Sequence, residues 1–140
     1  MTNKKVTNIF ILDDTHFDRE MIKKFLAEFV FLKYEKKFRI IESTSIKDAN
    51  ERLRSLENSV DLFILDGTLN PGHGYDLIPV IKESSPNAKI VMCSGNTELN
   101  RTGMDEGADM EIPKGEIGIG KSFTVQESYA RKLRGLLVHY

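Results

Sequence analysis

Five polar residues of this chain each follow an apolar run. Asp13 and Asp14 close the run IFILDD, Asp66 closes DLFILD, Ser94 follows KIVMC, and Lys114 follows the short run ending at Ile112 and Pro113. If these runs are neighbouring strands, the five groups gather at one sheet edge. Three carboxylates crowded together repel one another, which is costly unless a cation joins them. A hard divalent ion held by carboxylate, carbonyl and water oxygens suits such a set, and Mg2+ is the usual one. Lys114 adds a point charge. A site of this kind is prepared for a phosphoryl group. Metal and lysine neutralise its oxygens, the Ser94 hydroxyl donates a hydrogen bond, and one carboxylate serves as nucleophile.

The elements that must position these residues alternate along the chain. Asn8–Leu12 reads as a buried strand. Phe17, Met21, Ile22, Phe25, Leu26 and Phe29 recur at helical spacing, so an amphipathic helix follows, capped near Thr15. Phe38–Glu42 is a second strand. Ser45 and Asp48 resemble a capping box, ahead of a helix with Ile46, Ala49, Leu53 and Leu56 inward. Asp61–Asp66 has an all-apolar interior, as expected of a central parallel strand covered on both faces. Asn70, Pro71, Gly72 and Gly74 mark a loop. Tyr75–Ser84 is a third helix, in which Pro79 forces a kink or delays the regular part. Lys89–Cys93 is a fourth strand and Thr97–Glu106 a weak helix interrupted by Gly103. Asp109–Ile112 is a short fifth strand, ended by Pro113 and suited to an edge. After the glycine-rich loop Gly115–Gly120, Thr124 and Glu127 form a capping box. Val125, Tyr129, Leu133, Leu136 and Leu137 make the inner face of a last helix. Five such strand–helix pairs imply a parallel sheet with helices on both faces. Ligands of such sheets sit beyond the carboxyl ends of the strands, at the topological switch point.

On the runs IFILDD, DLFILDG, VMCSG and GADMEIPK, in that order and near the family's spacing, the sequence resembles the receiver domain of two-component response regulators. The resemblance covers nearly the whole chain. It implies a flavodoxin-like α/β fold with a five-stranded parallel sheet of order 2-1-3-4-5, and one receiver domain over residues 1–140 with no output domain. Asp66 matches the aspartate that accepts a phosphoryl group from a histidine kinase. Asp13 and Asp14 match the acidic pair that holds Mg2+, and Thr68 matches the position whose backbone carbonyl is a metal ligand. Asp66 itself completes the metal set. Ser94 matches the switch hydroxyl and Lys114 the lysine that pairs with the phosphoryl group. Gly95 matches the small residue that leaves the site open, and Gly74 the glycine in the loop after the phosphoacceptor. The implied partners are a sensor histidine kinase or phosphotransfer protein and a downstream protein target. The domain is then a switch more than an enzyme, although it assists its own phosphorylation and dephosphorylation.

This chain departs from the family in four places. The family usually has proline after the lysine, joined by a cis bond, whereas here Pro113 precedes Lys114 and Gly115 follows it. The family's switch aromatic falls on Glu111. The proline after the phosphoacceptor usually comes one residue earlier than Pro71. The fourth helix is short and poor in apolar residues.

Composition narrows the alternatives. The chain of 140 residues is the size of one ordinary domain. Twenty Lys and Arg against 21 Asp and Glu leave a formal charge of −1, without the basic balance of a dedicated nucleic-acid binder. The single cysteine, Cys93, excludes an internal disulfide and reads as a buried strand residue. The apolar run from Ile9 to Leu12 is too short for a signal-peptide core or a membrane span, so a cytoplasmic protein without membrane insertion is expected. The segment LDGTL resembles part of a haloacid dehalogenase phosphatase signature, but that family needs a nucleophilic Asp two residues before its general acid, and here that position is Ile64. A dinucleotide or flavin binder is disfavoured because no glycine fingerprint follows the first strand and Asp13, Asp14 and Asp18 would repel a phosphate there. A receiver-like interaction module that works without phosphorylation is the remaining rival. His16, His73 and His139 have no metal-ligand spacing. His73 reads as a solvated loop histidine within reach of the site rim, and Lys33, Lys36 and Lys37 as a solvated face.

Overall fold

A computed structural model describes residues 6–56 and 58–138 of the chain. The five strands are β1 (Thr7–Leu12), β2 (Phe38–Ser43), β3 (Leu62–Leu65), β4 (Lys89–Met92) and β5 (Met110–Glu111). They form one parallel sheet of order β2-β1-β3-β4-β5. This is the expected order, and it puts the switch point between β1 and β3. Helices α1 (His16–Phe25), α2 (Ile46–Ser55), α3 (Ile78–Ser84), α4 (Thr97–Asp105) and α5 (Phe123–Leu136) connect and cover the strands.

Strand alternation builds two cores. Ile9, Ile11, Leu62, Ile64, Val91 and Cys93 face Ile22, Phe25, Leu26, Ala130 and Leu133 of the α1–α5 layer. Phe10, Leu12, Phe63, Leu65, Ile90 and Met92 point the other way, against Ala49, Leu53, Leu77, Ile78 and Ile81. Both faces of the central strands are thus dry, which is why β1 and β3 read as unbroken apolar runs. Phe10 and Phe63 lie side by side across β1 and β3 with ring centroids 5.4 Å apart. Each such buried side chain contributes roughly 1.5–3 kcal/mol.

Several local expectations are corrected. Regular α1 ends at Phe25, and the chain continues through a π-helical stretch, Leu26–Phe31, and a 3-10 turn, Leu32–Tyr34, that closes at Glu35 in the left-handed region (φ 56°). Phe17 is 66 % exposed rather than part of the inner stripe. Thr15 caps α1 by its backbone position alone; its N–H instead donates to Asp13 Oδ1 at 2.9 Å. Ser45 caps α2 as expected, accepting from the Asp48 N–H at 3.0 Å. Pro79 delays the third helix, whose regular part follows a 3-10 turn over Gly74–Leu77 and has the proline in its first turn. The cap of α5 is Ser122, which accepts from the Val125 N–H, and not Thr124. Glu127 is drawn instead to Arg134, at 2.7 Å. Leu133 and Leu137 are buried on the inner face of α5 and Tyr129 and Leu136 pack against the same core, as expected, whereas Val125 is exposed and Gln126 and Ala130 complete the stripe. Lys36 and Lys37 are exposed, as expected. The side chain of Lys33, and His139, lie outside the described residues. Among the described residues no helix is long and apolar enough to cross a membrane.

Candidate functional site

The sheet ladder brings the strand-end residues together. Leu12 is in register with Leu65, so Asp13 and Asp66 emerge side by side at the switch point. The Asp66 N–H donates to the Leu12 carbonyl at 2.9 Å, and the Cys93 N–H donates to the Leu65 carbonyl at 2.8 Å. One strand further, the Lys114 N–H donates to the Ser94 carbonyl at 3.1 Å. That bond continues the β4–β5 ladder by one step and explains how Lys114 is placed without the family's lysine–proline order. Among the described residues the cis peptide bond is Asn70–Pro71, and the bonds flanking Lys114 are trans.

The side chains converge accordingly. Lys114 Nζ lies 2.7 Å from Asp13 Oδ2 and 3.0 Å from Asp66 Oδ2. Carboxylate oxygens of Asp13, Asp14 and Asp66 lie within 4.8 Å of one another. Asp13 and Asp66 are buried, while Asp14 is exposed and opens the cluster to solvent. Thr68 stands exposed on the loop after Asp66, and its N–H donates to Asp66 Oδ1 at 3.3 Å. Burial pushes the carboxyls of Asp13 and Asp66 above their ordinary value, and Lys114 offsets part of that shift. Burial alone would pull Lys114 down, but the hydrogen bonds and charges of Asp13 and Asp66 outweigh it and raise the ammonium. Three oxygen donors with a surplus of negative charge and one open side fit a hard divalent cation such as Mg2+.

Ser94 is buried and tied to α4. Its Oγ accepts from the Asn96 N–H at 3.1 Å. Asn100, fully buried, accepts from the Ser94 N–H at 3.0 Å and donates to the Ser94 carbonyl at 2.9 Å. Gly95 has open space where a side chain would stand. Glu111, at the switch-aromatic position, pairs with the exposed Arg101 at 3.5 Å.

Sequence reasoning did not find several of these partners. Asp18 is a third carboxylate on Lys114, at 3.1 Å. Its place in the first turn of α1, behind Asp13 and Asp14, was the available signal. Arg19 donates to the Asp13 carbonyl at 2.8 Å and pairs with Glu42 on β2 at 3.0 Å. Asn100 could have been found as the polar residue on the buried side of α4. His73 is not a solvated loop residue: its Nδ1 lies 2.8 Å from the Gly67 carbonyl oxygen.

Cys93 is buried under the site, and burial pushes its thiol up to about 12 from an ordinary 9.0. A disulfide reagent should leave Cys93 unmodified in the folded protein and modify it fully in denaturant. The native state keeps this proton between pH 9 and 12 while the unfolded state releases it. Stability should therefore fall as pH rises above 9, by about 1.4 kcal/mol per unit. Unfolding titrations of Cys93→Ser and the parent chain check the difference.

A family model described as the response regulator receiver domain matches residues 9–117. Among solved structures, the signal receiver domain of an HD-domain-containing protein from Pseudomonas fluorescens Pf-5 is 18 % identical, with 99 % of this chain and 92 % of that chain covered and a TM-score of 0.72. A response regulator described as putative, from Chloroflexus aurantiacus J-10-fl, is 17 % identical over 96 % of this chain and 100 % of its own, with a TM-score of 0.70. The response regulator TrrA of Thermotoga maritima, in complex with Mg2+ and BeF, is 21 % identical over 94 % and 99 %, with a TM-score of 0.69. Such identities speak for the fold alone. No curated protein matches the sequence. With the family model spanning both the acidic switch point and Lys114, the chain belongs to the response regulator receiver domain family.

Proposed function

We propose that this receiver is a cytoplasmic phosphoryl-accepting switch, with Asp66 as the phosphoacceptor and a histidine kinase or phosphotransfer protein as the donor. The observation that carries this reading is Lys114 Nζ seated between the buried carboxylates of Asp13 and Asp66, with Asp14 in reach. A carboxylate oxygen of Asp66 attacks phosphorus. An O–P bond forms, the N–P bond breaks, and the donor imidazole leaves with the electron pair and takes up a proton. Asp13, Asp14, Asp66 and the Thr68 carbonyl would hold Mg2+, which when bound neutralises charge on the phosphoryl oxygens. Lys114 pairs with one phosphoryl oxygen. Ser94 exchanges its bond from the Asn96 N–H for a contact with another, and the population shifts toward a surface read by a protein partner.

One observation favours the rival reading, an interaction module independent of phosphorylation. Glu111 is held by Arg101, so no aromatic at that position couples Ser94 to the surface. Intact-mass measurement after incubation with acetyl phosphate and Mg2+ separates the two. The expected result is one added phosphoryl group, lost in Asp66→Ala. No addition, together with no response to beryllofluoride, would sink the switch.

A further inference from the structure

We infer that His73 is a positioning residue for Asp66, acting through the peptide that joins Gly67 to Thr68. The inference rests on the reading of Asp66 as the phosphoacceptor.

The His73 ring nitrogen Nδ1 lies 2.8 Å from the Gly67 carbonyl oxygen. A carbonyl can only accept, so Nδ1 carries the hydrogen and donates it. The Asp76 N–H meets the His73 side chain in a capping box and also donates to the His73 carbonyl at 3.0 Å. The ring is held in turn. It stacks on Tyr75 with centroids 4.9 Å apart and planes 15° from parallel. The His73 backbone N–H donates to Asp76 Oδ2 at 3.0 Å.

The consequence follows from peptide planarity. The Gly67 C=O and the Thr68 N–H belong to one rigid plane and point in opposite directions. Fixing the oxygen therefore fixes the N–H, and that N–H donates to Asp66 Oδ1 at 3.3 Å. The other oxygen, Oδ2, is on Lys114. The carboxylate is thus held by one oxygen through Lys114 and by the other through a peptide that His73 orients. The α-carbon side of Gly67 is closed as well: a Cβ there would meet Leu99 Cβ at 2.7 Å and Ser94 Oγ at 3.0 Å. The peptide can lose its orientation by rotating, and the His73 bond opposes that rotation. Partners one step removed from a metal or reacting group commonly set affinity and rate in this way.

Asparagine places an N–H donor close to where His73 Nδ1 stands, whereas glutamine carries its amide one carbon further out. The full chain and its His73→Ala, His73→Asn and His73→Gln variants are compared by Mg2+ titration calorimetry and by the rate of phosphoryl uptake from acetyl phosphate at saturating Mg2+. The expected result is about tenfold weaker Mg2+ binding and about tenfold slower uptake in His73→Ala and His73→Gln, with His73→Asn within about twofold of the parent. A purely structural role for the ring would make Asn and Gln alike, since neither stacks on Tyr75. Unchanged values in His73→Ala, or Asn no better than Gln, overturn the inference while leaving the phosphoacceptor reading intact. A parent chain that takes up no phosphoryl group overturns that reading and this inference together.

Discussion

Replacing Lys114 by methionine is expected to destabilise the metal-free protein by about 3–5 kcal/mol at pH 7, the range for removing one partner of a buried ion pair. Methionine keeps most of the aliphatic stem, so the charge is the main loss. Lys114 Nζ lies within 3.1 Å of oxygens on three aspartates, Asp13, Asp66 and Asp18. The Asp13 side chain has no exposed surface and that of Asp66 has 6 %. Without the ammonium, two buried carboxylates face each other with little beyond the N–H bonds from Thr15 and Thr68 to offset their desolvation. The pH dependence follows from the direction of their shifts. Burial already raises both carboxyls above 3.8 in the parent chain, and the variant raises them further. Between the unfolded and folded values the native state binds more protons than the unfolded one, so stability falls as pH rises through that window. The deficit of Lys114→Met should therefore shrink as pH is lowered toward the carboxylate range. It should also shrink on adding Mg2+, because the proposed Mg2+ site exists only in the assembled cluster. Urea unfolding at two pH values, with and without Mg2+, measures both. A deficit independent of pH and of metal would assign the loss to packing instead.

The residues that carry this effect were legible because the sheet announces them. β1 and β3 are apolar on both faces, so the first carboxylate after each run marks where the strand leaves the core. Parallel register then makes Asp13 and Asp66 neighbours. Lys114 was legible by the same logic, one strand removed. Contacts set by tertiary proximity were not. Nothing local in the sequence says that the His73 ring turns back to the Gly67 carbonyl, or that Asn100 spends both ends of its amide on the Ser94 backbone. The helix ends show a related limit. A Thr–x–x–Glu spacing at Thr124 resembles a cap, yet α5 begins at Phe123, so Ser122 takes the role and Glu127 pairs with Arg134. Phe17 has the right helical period but is exposed, and periodicity carries no information about where a helix stops being covered.

Gly74→Ala is expected to have the largest effect of any single-methyl change near the site. A Cβ at Gly74 would lie 2.0 Å from the Asp66 carbonyl oxygen and 3.1 Å from Leu65 Cβ. The first of these is backbone of Asp66 itself, so no rotamer change relieves the clash. The Gly74 N–H donates to that same carbonyl at 3.0 Å, and moving the two segments apart breaks this bond. Overpacking of this severity costs about 3 kcal/mol, with a further contribution of about 1 kcal/mol from the lost hydrogen bond. Relief must come from moving the loop after β3 or the end of β3, and either motion displaces the Asp66 carboxylate from Lys114. A misplacement of about 1 Å at a reacting group can slow a reaction on the order of 100-fold. Phosphoryl uptake from acetyl phosphate should accordingly fall by at least about tenfold even at a temperature where Gly74→Ala remains folded. Gly95→Ala is the matched control. It adds the same methyl beside Ser94, where nothing lies within 4 Å of the new atom, so its stability should stay within about 0.5 kcal/mol of the parent. Equal behaviour of the two variants would mean that the loop after β3 yields without moving Asp66, and the positional argument for that carboxylate would fail.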